Sequence, residues 1–176
     1  MKTIIFFSLF FLSVLHTYAQ EGFTYLQLKG GYVRKDAMTI SLGFDFSTKY
    51  YSAYELTATY LKSFDKKVSF ETIFNEADSS YTKRELNHAY DNLLLGVQYK
   101  PLLFRQKNTT VKFRIGGYIG TDFDNFIASP NLGFEFIQSL TRTVDLTISN
   151  NNGYFFRASK PTRWRNTAEL GIRVAL

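Results

Sequence analysis

Histidine is the side chain readiest to move a proton near neutral pH, and this chain has two, His16 and His88. His16 falls in an apolar N-terminal run, which leaves His88 as the one candidate base. Glu85 and Asp91 flank it, and Ser79-Ser80 lies upstream. An acyl-transfer site needs a nucleophile, a base and an orienting group converging on a rigid frame. Nothing in this stretch supplies the frame, so His88 reads as a loop-edge residue among solvated charges. The chain has no Cys, and its carboxylates lack metal-ligand spacing. Gly30-Gly31 and Gly116-Gly117 sit inside strand patterns and lack the Lys-Ser or Lys-Thr that completes a phosphate loop. Asp122, Asp124 and Asn125, like Asn150 to Gly153, carry turn chemistry rather than a calcium loop. No catalytic, metal or cofactor residue is expected, and no enzyme.

The elements that would have to position any site come from composition and period. The 176 residues suffice for one domain, and they carry a net charge of +6. Lys and Arg are scattered singly with no dense basic run, so nucleic acid is not expected as a direct partner. Aromatic residues make up 18% of the chain, a share suited to strands and to a lipid–water boundary.

The first residues predict export. Met1-Lys2 gives a charged start, Ile4 to Leu15 is apolar apart from Ser8 and Ser13, and Thr17-Tyr18-Ala19 places small residues where a signal peptidase reads. The apolar run is shorter than the ~20 residues of a spanning helix. Residues 1–19 are therefore expected to be a signal peptide and residues 20–176 the mature domain. No later apolar run is long enough for a membrane helix.

From there the chain alternates with period two, as strands do. Met38, Ile40, Leu42, Phe44 and Phe46 share one face, and Thr39, Ser41, Gly43 and Asp45 the other. Trp164 to Leu176 alternates in the same way. So do stretches around Leu26–Leu28, Tyr54–Tyr60, Leu93–Tyr99, Val111–Ile115, Leu132–Phe136 and Val144–Ile148. Strands are predicted near 23–33, 37–47, 51–63, 86–100, 109–121, 126–138, 143–152 and 163–176. Many reach the ~9–11 residues that a tilted membrane strand requires. The fold class expected is all-β: an antiparallel up-and-down transmembrane β-barrel of about eight strands behind a signal peptide.

In a membrane barrel the apolar face meets lipid and the polar face lines the lumen. Glu55, Arg114, Glu135, Glu169 and Arg173 are accordingly expected to point inward as a mixed-charge network. Gly43, Gly96, Gly116, Gly133 and Gly171 on the same face suit a crowded lumen. The longer connections fall on one side: Phe64 to Glu85, Asp122 to Asn125 and Gly153 to Thr162. That side should face outward, with the N-terminus in the periplasm. Val68 to Phe74 still alternates, which allows a continued strand or a separate hairpin. Arg157, Lys160, Arg163 and Trp164, near Arg165, form a loose basic and aromatic group suited to an outer-loop contact or to a girdle at the membrane surface.

Several of these pieces resemble the TraO family of conjugative-transposon transfer proteins. They are Leu26-Gln27-Leu28-Lys29-Gly30-Gly31-Tyr32, the Tyr-rich third strand, Gly133-Phe134-Glu135-Phe136 before Leu140-Thr141-Arg142, and Trp164-Arg165-Asn166 running to Leu170-Gly171-Ile172-Arg173. The ending in Leu176 departs from the pattern. The resemblance implies an envelope component of a conjugation apparatus in the outer membrane, with lipid and other apparatus proteins as partners and no catalytic residues. The alternatives in other classes are a stand-alone barrel binding envelope or host ligands through its outer loops, and a lipid-modifying barrel enzyme. The residues do not specify the ligand, the oligomeric state or whether the barrel conducts. Mass spectrometry of the mature protein is expected to find an N-terminus at Gln20; an intact Met1 would contradict export by cleavage.

Overall fold

The computed structural model describes residues 22–34, 37–48, 50–64, 66–75, 80–89, 91–156 and 164–176, with 66–75 and 80–89 as backbone. The signal-peptide expectation lies outside these residues.

Eight long strands close into one ring. They are β1 (Thr24–Val33), β2 (Ala37–Ser47), β3 (Ala53–Ser63), β6 (Asn92–Lys100), β8 (Thr109–Thr121), β9 (Phe126–Ser139), β10 (Val144–Tyr154) and β11 (Trp164–Ala175). Each pairs antiparallel with its neighbours, β1 joins β11, and β6 joins β8 to complete the circle. The strands form because β-branched and aromatic residues alternate with small polar ones, which suits a pleated surface facing two different environments. Closure leaves no open barrel edge, the condition for spanning a bilayer with strands. The chain is a closed transmembrane β-barrel.

The polarity of the wall is inverted relative to a soluble barrel. Leu28 stands opposite Leu42 on one side and Ile172 on the other. The three are 57%, 51% and 52% exposed, whereas Lys100, Arg114 and Glu135 are at 0%. Apolar side chains exposed over a whole wall, with charges enclosed, have lipid as their matching solvent. Aromatic rings cluster near both rims. Tyr54 lies 5.1 Å from Tyr99 toward one end, and Tyr154 packs edge-on against Phe156 at 4.9 Å and Trp164 at 5.4 Å toward the other. Their placement suits the two interfaces of a bilayer.

Three inward glycines explain how the lumen accommodates its contents. A Cβ on Gly96 would meet the Tyr118 ring at 2.3 Å, one on Gly116 the Gln98 stem at 2.8 Å, and one on Gly171 the Lys29 stem at 2.6 Å. Each glycine lies beneath the side chain of its cross-strand partner.

Two connections differ from the sequence expectation. The predicted strand 86–100 is interrupted. A separate two-stranded sheet pairs β4 (Lys66–Asn75) with β5 (Ser80–Ala89), and β6 begins only at Asn92. Asp91 marks the break, since its carboxylate accepts the Ser63 amide at 3.0 Å and the Tyr60 hydroxyl at 2.6 Å, anchoring the base of the hairpin to β3. At the other end, the expected loop 101–108 contains a short strand, β7 (Leu102–Gln106), folded back on β8 with a bulge. Pro101 cannot donate to a ladder, and its carbonyl instead accepts the Phe113 amide at 3.0 Å. Asp122 closes its own turn by accepting the amides of Asp124 and Asn125 at 3.3 and 2.7 Å.

Ile172 sits mid-strand on the lipid face. Replacing it by Arg should cost insertion about 2–4 kcal/mol if it lies near the bilayer midplane. Urea titration of vesicle-refolded protein measures this, and an unchanged midpoint would argue against lipid on that face.

Candidate functional site

The lumen holds the densest concentration of ionisable side chains. Every barrel strand contributes at least one: Lys29 from β1, Asp45 from β2, Glu55 from β3, Lys100 from β6, Arg114 from β8, Glu135 from β9, Asp145 from β10, and Glu169 and Arg173 from β11. Period two delivers each of them inward from its own strand, and ring closure brings them to a common axis.

Glu55 and Glu135 are the hubs. The Lys29 ammonium bridges them, 2.9 Å from Glu55 Oε1 and 3.0 Å from Glu135 Oε1. Lys100 bridges their other oxygens at 2.9 and 2.7 Å and also donates to Asp45. Arg114 Nη2 lies 3.1 Å from both Glu55 oxygens, and its Nη1 is 3.9 Å from Glu169. Arg173 donates through Nε to Asp145 at 2.6 Å and through Nη1 to Asp45 at 3.4 Å. Glu169 also accepts from Ser41 at 3.0 Å and Ser149 at 3.3 Å. The result is one connected set of ion pairs running from Asp145 to Glu169.

Toward the long-loop end the filling turns apolar. Leu94, Ile127 and Phe155 cluster with Tyr118, and Val33, Ala37 and Leu61 form a second cluster. Long side chains in the middle and apolar ones at one end occupy an interior that eight strands make only wide enough for side chains. Toward the end that carries both described termini, a cavity of about 260 Å³ remains, lined among others by Lys112, Arg105 and Arg173.

Glu55, Arg114, Glu135, Glu169 and Arg173 thus all lie in the lumen, within one connected network. The expected network omitted Lys29 and Lys100, which bridge its hubs. Both were legible by parity: Lys29 follows Tyr25 and Gln27, and Lys100 follows Asn92 and Gln98 on the face opposite Leu93, Leu95 and Val97. Of the expected outer-loop group, Arg157, Lys160 and Arg163 lie outside the described residues. Trp164 faces outward at 63% exposure against Tyr154. Arg165 turns the other way, buried with its guanidinium 4.4 Å over Phe155, so it shares no surface with Trp164. His88 is on β5, opposite Lys67 in the hairpin and outside the barrel sheet. Among the described residues no group of three or more His, Asp or Glu is placed to hold a metal ion.

No family model and no curated protein sequence matches the chain. Solved structures do match in fold. A major outer membrane protein from Thermus thermophilus aligns with a TM-score of 0.59 at 10% identity, covering 89% of this chain and 100% of that one. A de novo designed transmembrane β-barrel aligns at 0.55 and 10% identity, covering 88% and 96%. Neisserial surface protein A aligns at 0.54 and 12% identity, covering 88% and 96%. The chain has the fold of small outer-membrane β-barrels; identities this low carry the likeness no further.

Replacing Glu55 by Gln leaves Lys29, Lys100 and Arg114 facing one fewer carboxylate. Breaking a buried ion pair from one side costs about 3–5 kcal/mol, so the urea midpoint should fall clearly. Adding Lys29→Met should recover part of the loss, and strict additivity of the two changes would show that they are not coupled.

Proposed function

We propose that this is a non-enzymatic outer-membrane barrel whose lumen is a structural plug and whose function lies in what its long-loop end presents. The observation that carries this reading is the β4–β5 hairpin. Ten register pairs, from Lys66 with Ala89 to Asn75 with Ser80, form a sheet of their own beside the barrel. The same strand ends at the opposite rim are joined by short turns such as Ser139 to Val144, closed by the Thr141 hydroxyl. Small barrels of the outer membrane keep short turns in the periplasm and long loops outside. That asymmetry supports a position for the hairpin on the outer surface. A paired hairpin gives a partner a preformed frame to bind, so little ordering entropy opposes the contact.

The process this surface serves is read from the TraO resemblance: a component of a conjugal DNA-transfer apparatus that meets other apparatus proteins at the outer membrane. The support is the set of short sequence pieces from Leu26 to Arg173, together with a barrel fold suited to an envelope component. The proposal includes export by a cleaved signal peptide and no direct contact with nucleic acid.

Deleting residues 66–89 and joining the ends of β3 and β6 by a short turn should leave a barrel that still resists denaturant. It should sharply lower mating efficiency in a donor that carries this gene. His88→Ala should leave both unchanged. A hairpin deletion without effect on mating would overturn the hairpin as the contact surface, and deletion of the whole gene without effect would overturn the conjugation reading. A loss confined to adhesion or envelope-ligand binding would assign the barrel to that role. Loss of function in a well-assembled His88→Ala barrel would call for an enzyme.

A further inference from the structure

Among the described residues, Lys112 stands outside the network. Lys112, on β8, is only 2% exposed, yet its ammonium makes no hydrogen bond or ion pair with any described residue. The carboxylates around it are engaged elsewhere. Asp45 takes Lys100 and Arg173 on one oxygen, Glu135 takes Lys29 and Lys100, and Asp145 takes Arg173. The other Asp45 oxygen is buried and has no hydrogen-bond partner, so it can compete for Lys112.

Lys112 lines the cavity of about 260 Å³ at the rim that carries the described termini. Two further cations line the same space. Arg173 approaches from β11, and Arg105 from β7, where its guanidinium stacks 3.5 Å over the Tyr51 ring. Tyr51 itself has φ of 62°, an uncommon conformation for a residue with a Cβ. The hydroxyl-bearing residues Ser47, Thr110 and Ser139 complete this part of the wall. A buried ammonium without a counter-ion is costly, and here it faces an accessible space in which a counter-ion would fit.

We propose that this mouth of the lumen is an anion site that takes a phosphate group, with Lys112 as its central ligand and Arg105 and Arg173 as flanking ones. A phosphate offers more acceptor oxygens than a carboxylate and suits a site that combines guanidinium, ammonium and hydroxyl donors. The group can arrive as free phosphate or as the headgroup of a phospholipid whose chains lie along the barrel wall. The hairpin at the opposite end has no part in the argument, so the site stands or falls separately from the proposed function.

The test uses the full mature chain refolded in a detergent that contains no phosphate. Inorganic phosphate, and separately short-chain phosphatidylglycerol, is titrated at constant ionic strength while the backbone amide NMR signals of the cavity residues Thr110 and Ser139 are followed. Saturation by inorganic phosphate identifies a free-anion site, and saturation by phosphatidylglycerol alone identifies a headgroup site. Either supports the proposal, provided that Lys112→Met weakens binding by about tenfold or more, the equivalent of about 1.4 kcal/mol. No saturation with either probe overturns it, as does undiminished binding by Lys112→Met. Stability gives a second reading. Lys112→Met should keep or raise the urea midpoint in phosphate-free conditions, whereas Lys100→Met should lower it. If both variants lower it equally, Lys112 is a member of the network through Asp45 and no anion site exists.

Discussion

A charge enclosed in the lumen must meet its counter-charge from another strand, and everything else in this barrel follows from that requirement. Moving an ion out of water costs several kcal/mol, and a well-placed partner is what offsets it. Glu55 and Glu135 lie on β3 and β9, far apart around the ring, and are joined by Lys29 from β1 and Lys100 from β6. No neighbouring pair of strands could satisfy these groups alone. Only the closed ring brings them together.

The same requirement sets register. Side chains alternate with period two, so a slip of one residue in any strand would turn its lumen charges into lipid and its apolar row into the lumen. For β11 that would exchange Glu169 and Arg173 for Leu170 and Ile172. The ion-pair network and the lipid wall thus penalise the same errors from opposite sides. The interior is occupied by this network and by the apolar clusters around Leu94 and Leu61. The β4–β5 hairpin lies at one rim and the small cationic mouth at the other.

How much of this could be read beforehand varies with the local chemistry. Where alternation is clean the strands appear directly: the expected bounds 37–47 and 109–121 are those of β2 and β8. The five expected lumen charges follow from the same parity. Alternation fails as a guide where a side chain ends a strand without breaking the pattern. Asp91 does so by capturing the Ser63 amide, and the break between β5 and β6 is invisible in a count of apolar residues. Leu93-Leu94-Leu95 obscures the period for another reason. Leu94 is an inward residue that happens to be apolar, because it packs in the lumen against Ile127 and Phe155. Which cation joins which carboxylate was never legible, since it depends on the order of strands around the ring. The solitary position of Lys112 is a property of that arrangement alone.

The central claim is that lipid surrounds the wall while paired charges fill the inside. The chain has no Cys, so single cysteines carrying nitroxide labels report one position each. Labels at Leu28, Leu42 and Ile172 in vesicle-embedded protein should relax strongly with dissolved oxygen and weakly with a water-soluble nickel chelate. Labels at Ser41 and Thr147 should respond weakly to both. Strong nickel relaxation at Leu28, Leu42 and Ile172 would place that face in water and contradict the account.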